Sequence, residues 1–178
     1  MSLSLTMEKS TELSIRPFVV TDADDFFSWA SDDRVTQYLR WNTINDRDQA
    51  LKYLKEVAIP HPWRRSICLA NKSIGYVSVK PESGSDRHRA HISYAIGTEF
   101  WGRGLTTAAV KMAISAVFQE LPFVVRIEGL VEDENKASQK VLEKLGFQKE
   151  GYLRKYGFNK GEIRDMIMYS LLSTDSFS

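Results

Sequence analysis

Cysteine is all but missing from this chain: Cys68 stands alone among 178 residues. A lone thiol closes no intramolecular disulfide and builds no cysteine-rich zinc site. No other metal-ligand cluster is visible, so no metal is expected, and the compartment should be reducing, the cytoplasm or the nucleus. Charge of either sign is not in excess either. Lys and Arg total 24 against 23 Asp and Glu, a net charge of +1, whereas a dedicated nucleic-acid binder draws its affinity from a basic surplus. No nucleic-acid partner follows. Long apolar runs are absent too: no stretch approaches the ~20 residues that cross a bilayer. The first twenty residues lack the basic-then-apolar order of a secretory signal. No membrane partner follows, and no repeat or low-complexity segment is present.

What remains is a chain with the apolar content of a folded domain, 43% hydrophobic, and a length that suits one domain. Residues 1–10 are polar and aperiodic and read as a tail, 11–172 as the domain, and 173–178 as a second tail. A strand is expected at Leu13–Pro17, stopped by the proline. Thr21 with Asp24 reads as a helix start ahead of Phe26, Phe27 and Trp29. Short helices follow over Val35–Leu39 and Asp46–Val57. The period then changes to that of strands, at Ser66–Ala70, Ile74–Lys80 and Arg89–Ile96. Gly102 and Gly104 open a long helix to Gln119, expected to be largely buried. A strand at Val125–Val131, a helix from Asn135 to Leu145 closed by Gly146, and a hairpin turning at Asn159-Lys160-Gly161 complete the chain. The order β-ααα-βββ-α-β-α-ββ defines one α/β domain with a mixed sheet.

Two segments carry chemistry. In Trp101-Gly102-Arg103-Gly104-Leu105-Thr106-Thr107, two glycines lie between a strand and a helix. They let a backbone approach a bound group, and the helix start offers unpaired N–H donors that suit a diphosphate. The Gly-Lys-Ser/Thr of a P-loop is missing, and so is the third glycine of a dinucleotide fingerprint, where Thr107 stands. In the second segment, Asn135 to Phe147, Asn135 is an N-cap and Ser138, Leu142 and Leu145 share one helical face.

Taken in order, these segments resemble the GNAT superfamily of acetyl-CoA-dependent N-acetyltransferases, and within it the RimJ/RimL-type branch. The likeness is carried by Ile15-Arg16-Pro17-Phe18 with Asp22-Ala23, Trp101-Gly102-Arg103-Gly104, Asn135-Lys136-Ala137-Ser138, Leu145-Gly146-Phe147 and the ending from Gly161 to Leu172 with Asp165. It spans residues 11 to 172. The resemblance implies the GNAT fold: a mostly antiparallel sheet of about seven strands, flanking helices, and a splayed central strand pair between Arg89–Ile96 and Val125–Val131. It implies acetyl-CoA as cosubstrate, with backbone amides from Gly102 to Thr107, covering Gly104, Leu105 and Thr106, on the pyrophosphate. Trp101 and Thr106 depart from the superfamily's usual Gln/Arg and Gly/Ala in that loop. Arg103 is expected to add its guanidinium or simply to be solvated, and Asn135 to bond near the pantetheine arm or to act as a plain cap.

Acetyl transfer to an amine needs a deprotonated nucleophile, a donor for the oxyanion and a hydrogen bond for the departing thiolate. The resemblance places the oxyanion donor among the backbone amides near Tyr94, Ala95 and Ile96. The tyrosine that many relatives use at the thiolate is replaced by Leu142, and the branch assigns that work to a serine at the position of Ser138. For a base, His91 falls where histone-acetylating relatives carry a glutamate, and Glu128 is the second candidate. His91 is equally readable as a solvated strand residue, Glu128 as a partner of Arg126, and a water chain needs neither. Tyr38, Arg40, Trp41, the Pro62-to-Arg65 segment and Tyr156 are expected to line the acceptor pocket. The amine is expected on a protein N-terminus or a lysine, with a polyamine or metabolite amine as the alternative and a non-catalytic CoA-binding module as the other class. The chain is expected as a monomer or homodimer.

Overall fold

The computed structural model describes residues 12–177, so the expected N-terminal tail lies outside the described residues. Seven strands form a single sheet: β1 (Leu13–Arg16), β2 (Arg64–Leu69), β3 (Lys72–Pro81), β4 (Arg89–Ile96), β5 (Arg126–Glu132), β6 (Gln148–Asn159) and β7 (Glu162–Leu172), in the order β1-β2-β3-β4-β5-β7-β6. Two tight hairpins set the register. Ala70 and Asn71 join β2 to β3, and Lys160 and Gly161 join β6 to β7, all four at positive φ. That is the geometry whose twist matches flanking strands.

Helices cover both faces. On one lie α1 (Ala23–Ala30), α2 (Asp33–Thr36) and α3 (Arg47–Tyr53); α4 (Leu105–Glu120) and α5 (Lys136–Lys144) pack into the other core. The pleat of β3 divides the two cores, with Val77 and Val79 facing α4 and Tyr76 facing the first helices. α4 buries only the stripe Ala109, Val110, Ala113, Ile114 and Val117, and Met112 on its outer side is 40% exposed. The expectation of a largely buried helix is corrected: among the described residues nothing covers its second face.

Other boundaries differ for local reasons. Thr21 caps nothing; a 3-10 turn at Val20–Asp22 leads into α1, and the Asp22 carboxylate accepts from the Val19 N–H while gripping Arg16 with both oxygens at 2.8 Å. Asp32 caps α2, which ends at Thr36 instead of running to Leu39. Asp46 caps α3 as its side chain accepts from Gln49 N, but the helix relaxes into a π turn over Leu54–Ala58. Residues 173–177 do not leave as a tail. Ser173 N donates to Val125 O, and Phe177 packs on the core.

After the π turn, the His61 Nδ1 accepts from Trp63 N. Burial, with Arg64 and Lys80 nearby, lowers the His61 pKa to about 4. A folded value below the unfolded ~6.5 means the unfolded chain binds the extra proton, so stability is whole above pH ~6.5 and lost as pH falls towards 4. His61→Asn should flatten the midpoint-versus-pH curve across that window. An unchanged slope would show that His61 does not titrate there.

One pairing is incomplete, and it places the site. β4 and β5 are parallel neighbours only at Arg89↔Arg126, Ala90↔Ile127 and His91↔Glu128. Beyond these the strands part, while β4 stays zipped to β3 and β5 to β7. On the α5 side, Leu142 sits so close to Gly129 that a Cβ there would lie 2.6 Å from its methyl. A larger residue there would have to displace that methyl, so the glycine favours the close approach of the helix. Among the described residues no helix is long and apolar enough to cross a membrane.

Candidate active site

Two cavities open at the splay. The larger, about 640 Å³, is lined by Tyr94, Ala95 and Ile96 on β4, by the Trp101-to-Thr107 turn and by one side of α5. The smaller, about 260 Å³, is lined by Arg40, His91, Glu132 and Met166. Tyr38, Leu39, Tyr94, Asn135 and Ser138 line both and form the neck between them.

The turn into α4 has the form its glycines predict. Gly102 and Gly104 have φ of +72° and +74°, and a Cβ on either would meet nothing within 4 Å. The helix mouth is therefore open, and Gly104 in the left-handed region starts α4 with its first amides unblocked. Trp101 fixes the turn to the sheet by donating Nε1 to Ile96 O at 2.9 Å. Arg103 points elsewhere, over the Phe100 ring at 5.9 Å, and does not line the cavity. Lys136, Lys140 and Lys144, one helical turn apart on α5, line it together with Arg34. These lysines were not among the expected site residues, although their i, i+4, i+8 spacing puts them on one face. An anionic, elongated ligand such as coenzyme A fits this cavity by volume, open amides and cations.

At the neck, Asn135 is the N-cap of α5, its Oδ1 accepting from Ser138 N at 3.2 Å. The Ser138 hydroxyl lies 2.8 Å from the hydroxyl of Tyr94, which also reaches Ser138 O at 3.1 Å. Burial pushes the Tyr94 phenol well above its ordinary range, so it remains a donor. From sequence, only the backbone of Tyr94 is expected at the site. Its side chain meets a residue 44 positions away, which no local pattern reveals.

His91 and Glu128 are the last rungs of the β4–β5 pairing. The His91 Nε2 is 2.7 Å from Glu82 Oε1 and 3.6 Å from Glu128 Oε2, and His91 borders the smaller cavity. Glu128 is buried and accepts from Arg126 Nε at 2.7 Å, with Arg89 at 3.7 Å. Arg126 also holds Glu150, whose carboxyl is lowered to about 2 mainly by that bond and by Ser170. The cluster locks the closed end of the splay; Glu128 lines neither cavity.

The residues expected around the acceptor divide. Tyr38 and Arg40 line the smaller cavity, where Arg40 also donates to Phe158 O. Trp41 does not line either cavity; it packs among Phe26, Trp29, Tyr53 and Tyr76. Tyr156 is 61% exposed on β6 and lines neither. Trp63 is core, bonded through Nε1 to Glu120; Arg65 stacks over it, and Arg64 lies over Tyr76 and donates to Tyr53. A carboxylate not anticipated, Glu132, borders the smaller cavity and accepts from Asn159 Nδ2 at 2.7 Å, with Arg164 at 3.5 Å. Asp165 accepts from Lys155 N and from the Tyr152 hydroxyl. It thereby clasps the β6 bulge where Lys155 has φ +51°. The first of these bonds lowers the Asp165 carboxyl, and Asp165 in turn pushes the Tyr152 phenol up to about 12.

A splayed parallel pair flanked by an open helix mouth defines a class, the acyl-CoA-dependent transferases of the GNAT fold. Comparison with known proteins agrees. Residues 12–148 match the Acetyltransferase (GNAT) domain, and the chain belongs to that family. It is 33% identical over 172 residues to an uncharacterized N-acetyltransferase p20 of Bacillus licheniformis, covering 92% of this chain and 94% of the relative. It is 34% identical over 88 residues to the ribosomal protein uS5-alanine N-acetyltransferase of Escherichia coli, covering 49% and 45%. The structure of RimL, a ribosomal L7/L12 alpha-N-protein acetyltransferase in complex with coenzyme A, superposes with a TM-score of 0.80 at 18% identity over 92% and 95% of the chains. The protein is an N-acetyltransferase with the RimJ/RimL type of fold.

Proposed function

We propose that the chain transfers the acetyl group of acetyl-CoA directly to a primary amine of a protein, at its N-terminus or a lysine, in the cytoplasm. The observation that carries this reading is the neck: two cavities of different character share Ser138, Tyr94 and Asn135. The larger takes the carrier and the smaller takes the amine. Bound acetyl-CoA supplies an activated thioester carbonyl. The amides from Gly102 to Thr107 hold its pyrophosphate, and the backbone of Tyr94, Ala95 and Ile96, freed from β5, lies along its arm. An amide of that stretch stabilises the carbonyl oxygen, and Ser138 Oγ–H donates to the departing sulfur. Of the two base candidates, His91 borders the acceptor cavity while Glu128 is clamped by Arg126. With its Nε2 held by Glu82, His91 draws the ammonium proton on Nδ1, directly or through water. Tyr38 and Arg40 contact the acceptor. The relatives that are ribosomal protein N-acetyltransferases support a protein amine.

Thiol release from acetyl-CoA with a panel of peptides, lysine analogues and polyamines tests the reading. Peptide-dependent release is expected, with kcat about 10²-fold lower in Ser138→Ala. Release with polyamines alone would move the acceptor to small amines. Stabilisation by CoA, about 2.7 kcal/mol at 100-fold over Kd, with no release on any acceptor would identify a binding module instead.

A further inference from the structure

We infer that Tyr94 is a positioning residue that aims the proton of Ser138 at the thioester sulfur. The inference rests on the transferase reading above and adds to it a residue whose side chain has no assigned role there. Ser138 has one hydroxyl proton and two places to spend it: the oxygen of Tyr94, 2.8 Å away, or whatever stands in the neck. If the Tyr94 proton goes to the carbonyl of Ser138, 3.1 Å away, the serine donates to the tyrosine and has nothing for the sulfur. If the Tyr94 proton goes to Ser138 Oγ, the serine must turn its own hydrogen into the neck. Negative charge on sulfur selects the second arrangement, because each donor in a chain strengthens the next in a dry site.

The fold holds this pair rigidly. Tyr94 lies on β4 beyond the last β5 rung and opposite Val77 of β3. Ser138 lies in the first turn of α5, its own amide tied to the Asn135 cap. Leu142, in the position where other family members carry a tyrosine, is fully buried over Gly129 and brings no hydroxyl. Tyr94 instead brings a phenol to the neck from the strand, bonded to the Ser138 hydroxyl. In the reaction one ammonium proton leaves towards the acceptor side, and the amine nitrogen bonds to the acyl carbon. The carbon–sulfur bond breaks with its electron pair going to sulfur, and the second nitrogen proton leaves to water as the amide forms. The Ser138 hydrogen bond holds the thiolate until water protonates it. No proton leaves Tyr94. It only orients.

The test is a cycle of Tyr94→Phe, Ser138→Ala and the double variant, read as kcat and KM for both substrates. Tyr94→Phe should lower kcat about tenfold with both KM values within twofold of wild type, and the double variant should be no slower than Ser138→Ala. Equal kcat in Tyr94→Phe overturns the inference, and so does a double variant slower than Ser138→Ala by the full Tyr94→Phe factor, since the ring would then act by packing. A second readout leaves the shape of the ring in place. Site-specific incorporation of a trifluorotyrosine at position 94, which ionises at lower pH, should keep kcat near wild type at neutral pH and add an alkaline fall in kcat that wild type lacks. An unaltered profile overturns it independently of how well Tyr94→Phe folds. Failure of wild type to release thiol with any amine would instead strike the transferase reading, and this inference with it.

Discussion

Gly75→Ala should lower stability by about 3 kcal/mol and weaken CoA binding about tenfold, although residue 75 touches neither cavity. Gly75 sits on β3 opposite Ile96, and a Cβ there would lie 2.2 Å from Ala95 O and 2.8 Å from the Ile96 Cα. These are backbone atoms, so no rotamer change relieves the clash. The end of β4 has to move. Ala95 and Ile96 border the larger cavity, and Ile96 O holds the Trp101 indole, so the displacement reaches the glycine turn. A fall in thermal midpoint of about 6–12 °C is expected for a chain of this size. Gly151→Ala is the control, with nothing within 4 Å of the added carbon. Equal behaviour of the two variants would mean that β4 is looser than its contacts imply.

Arg16→Met should cost about 4 kcal/mol. The Arg16 guanidinium pairs both its terminal nitrogens with Asp22 and reaches Asn71 through Nε at 3.0 Å. One side chain thus ties β1, the entry to α1 and the β2–β3 turn. Asp22 is 4% exposed, so deleting the arginine strands a buried carboxylate, whereas removing both partners for apolar groups of like volume costs much less. The double variant Arg16→Met with Asp22→Leu should therefore recover part of the midpoint lost in the single one. A single variant within 1 kcal/mol of wild type would show that water reaches Asp22.

The same arginine explains where sequence reading succeeds and stops. β4 at Arg89–Ile96, the α4 start after Gly104 and the Asn135 cap are set by alternation, glycine conformation and a local side-chain bond, and each is visible in a window of a few residues. The start of α1 is not, because Asp22 answers to Arg16 and the Thr21 signal loses to that pair. Arg64 and Arg65 look like scattered acceptor cations in sequence, yet rings from other elements claim both. The site shows the same division. The glycine turn, Ser138 and Asn135 are legible from motif order, while the Tyr94 phenol, Glu132 and the burial of Trp41 depend on strands and helices brought together only by the fold.

The three-rung pairing of β4 with β5 also leaves a signature in solution. Along a strand successive amide hydrogens point to opposite edges, so past His91 every second one on β4 has no β5 carbonyl to meet. In deuterium oxide those alternate hydrogens should swap within the fast phase, while their neighbours bonded to β3 resist. Saturating the cleft with coenzyme A should silence the alternation, turning a striped exchange pattern into a uniform one across Ile92–Ile96.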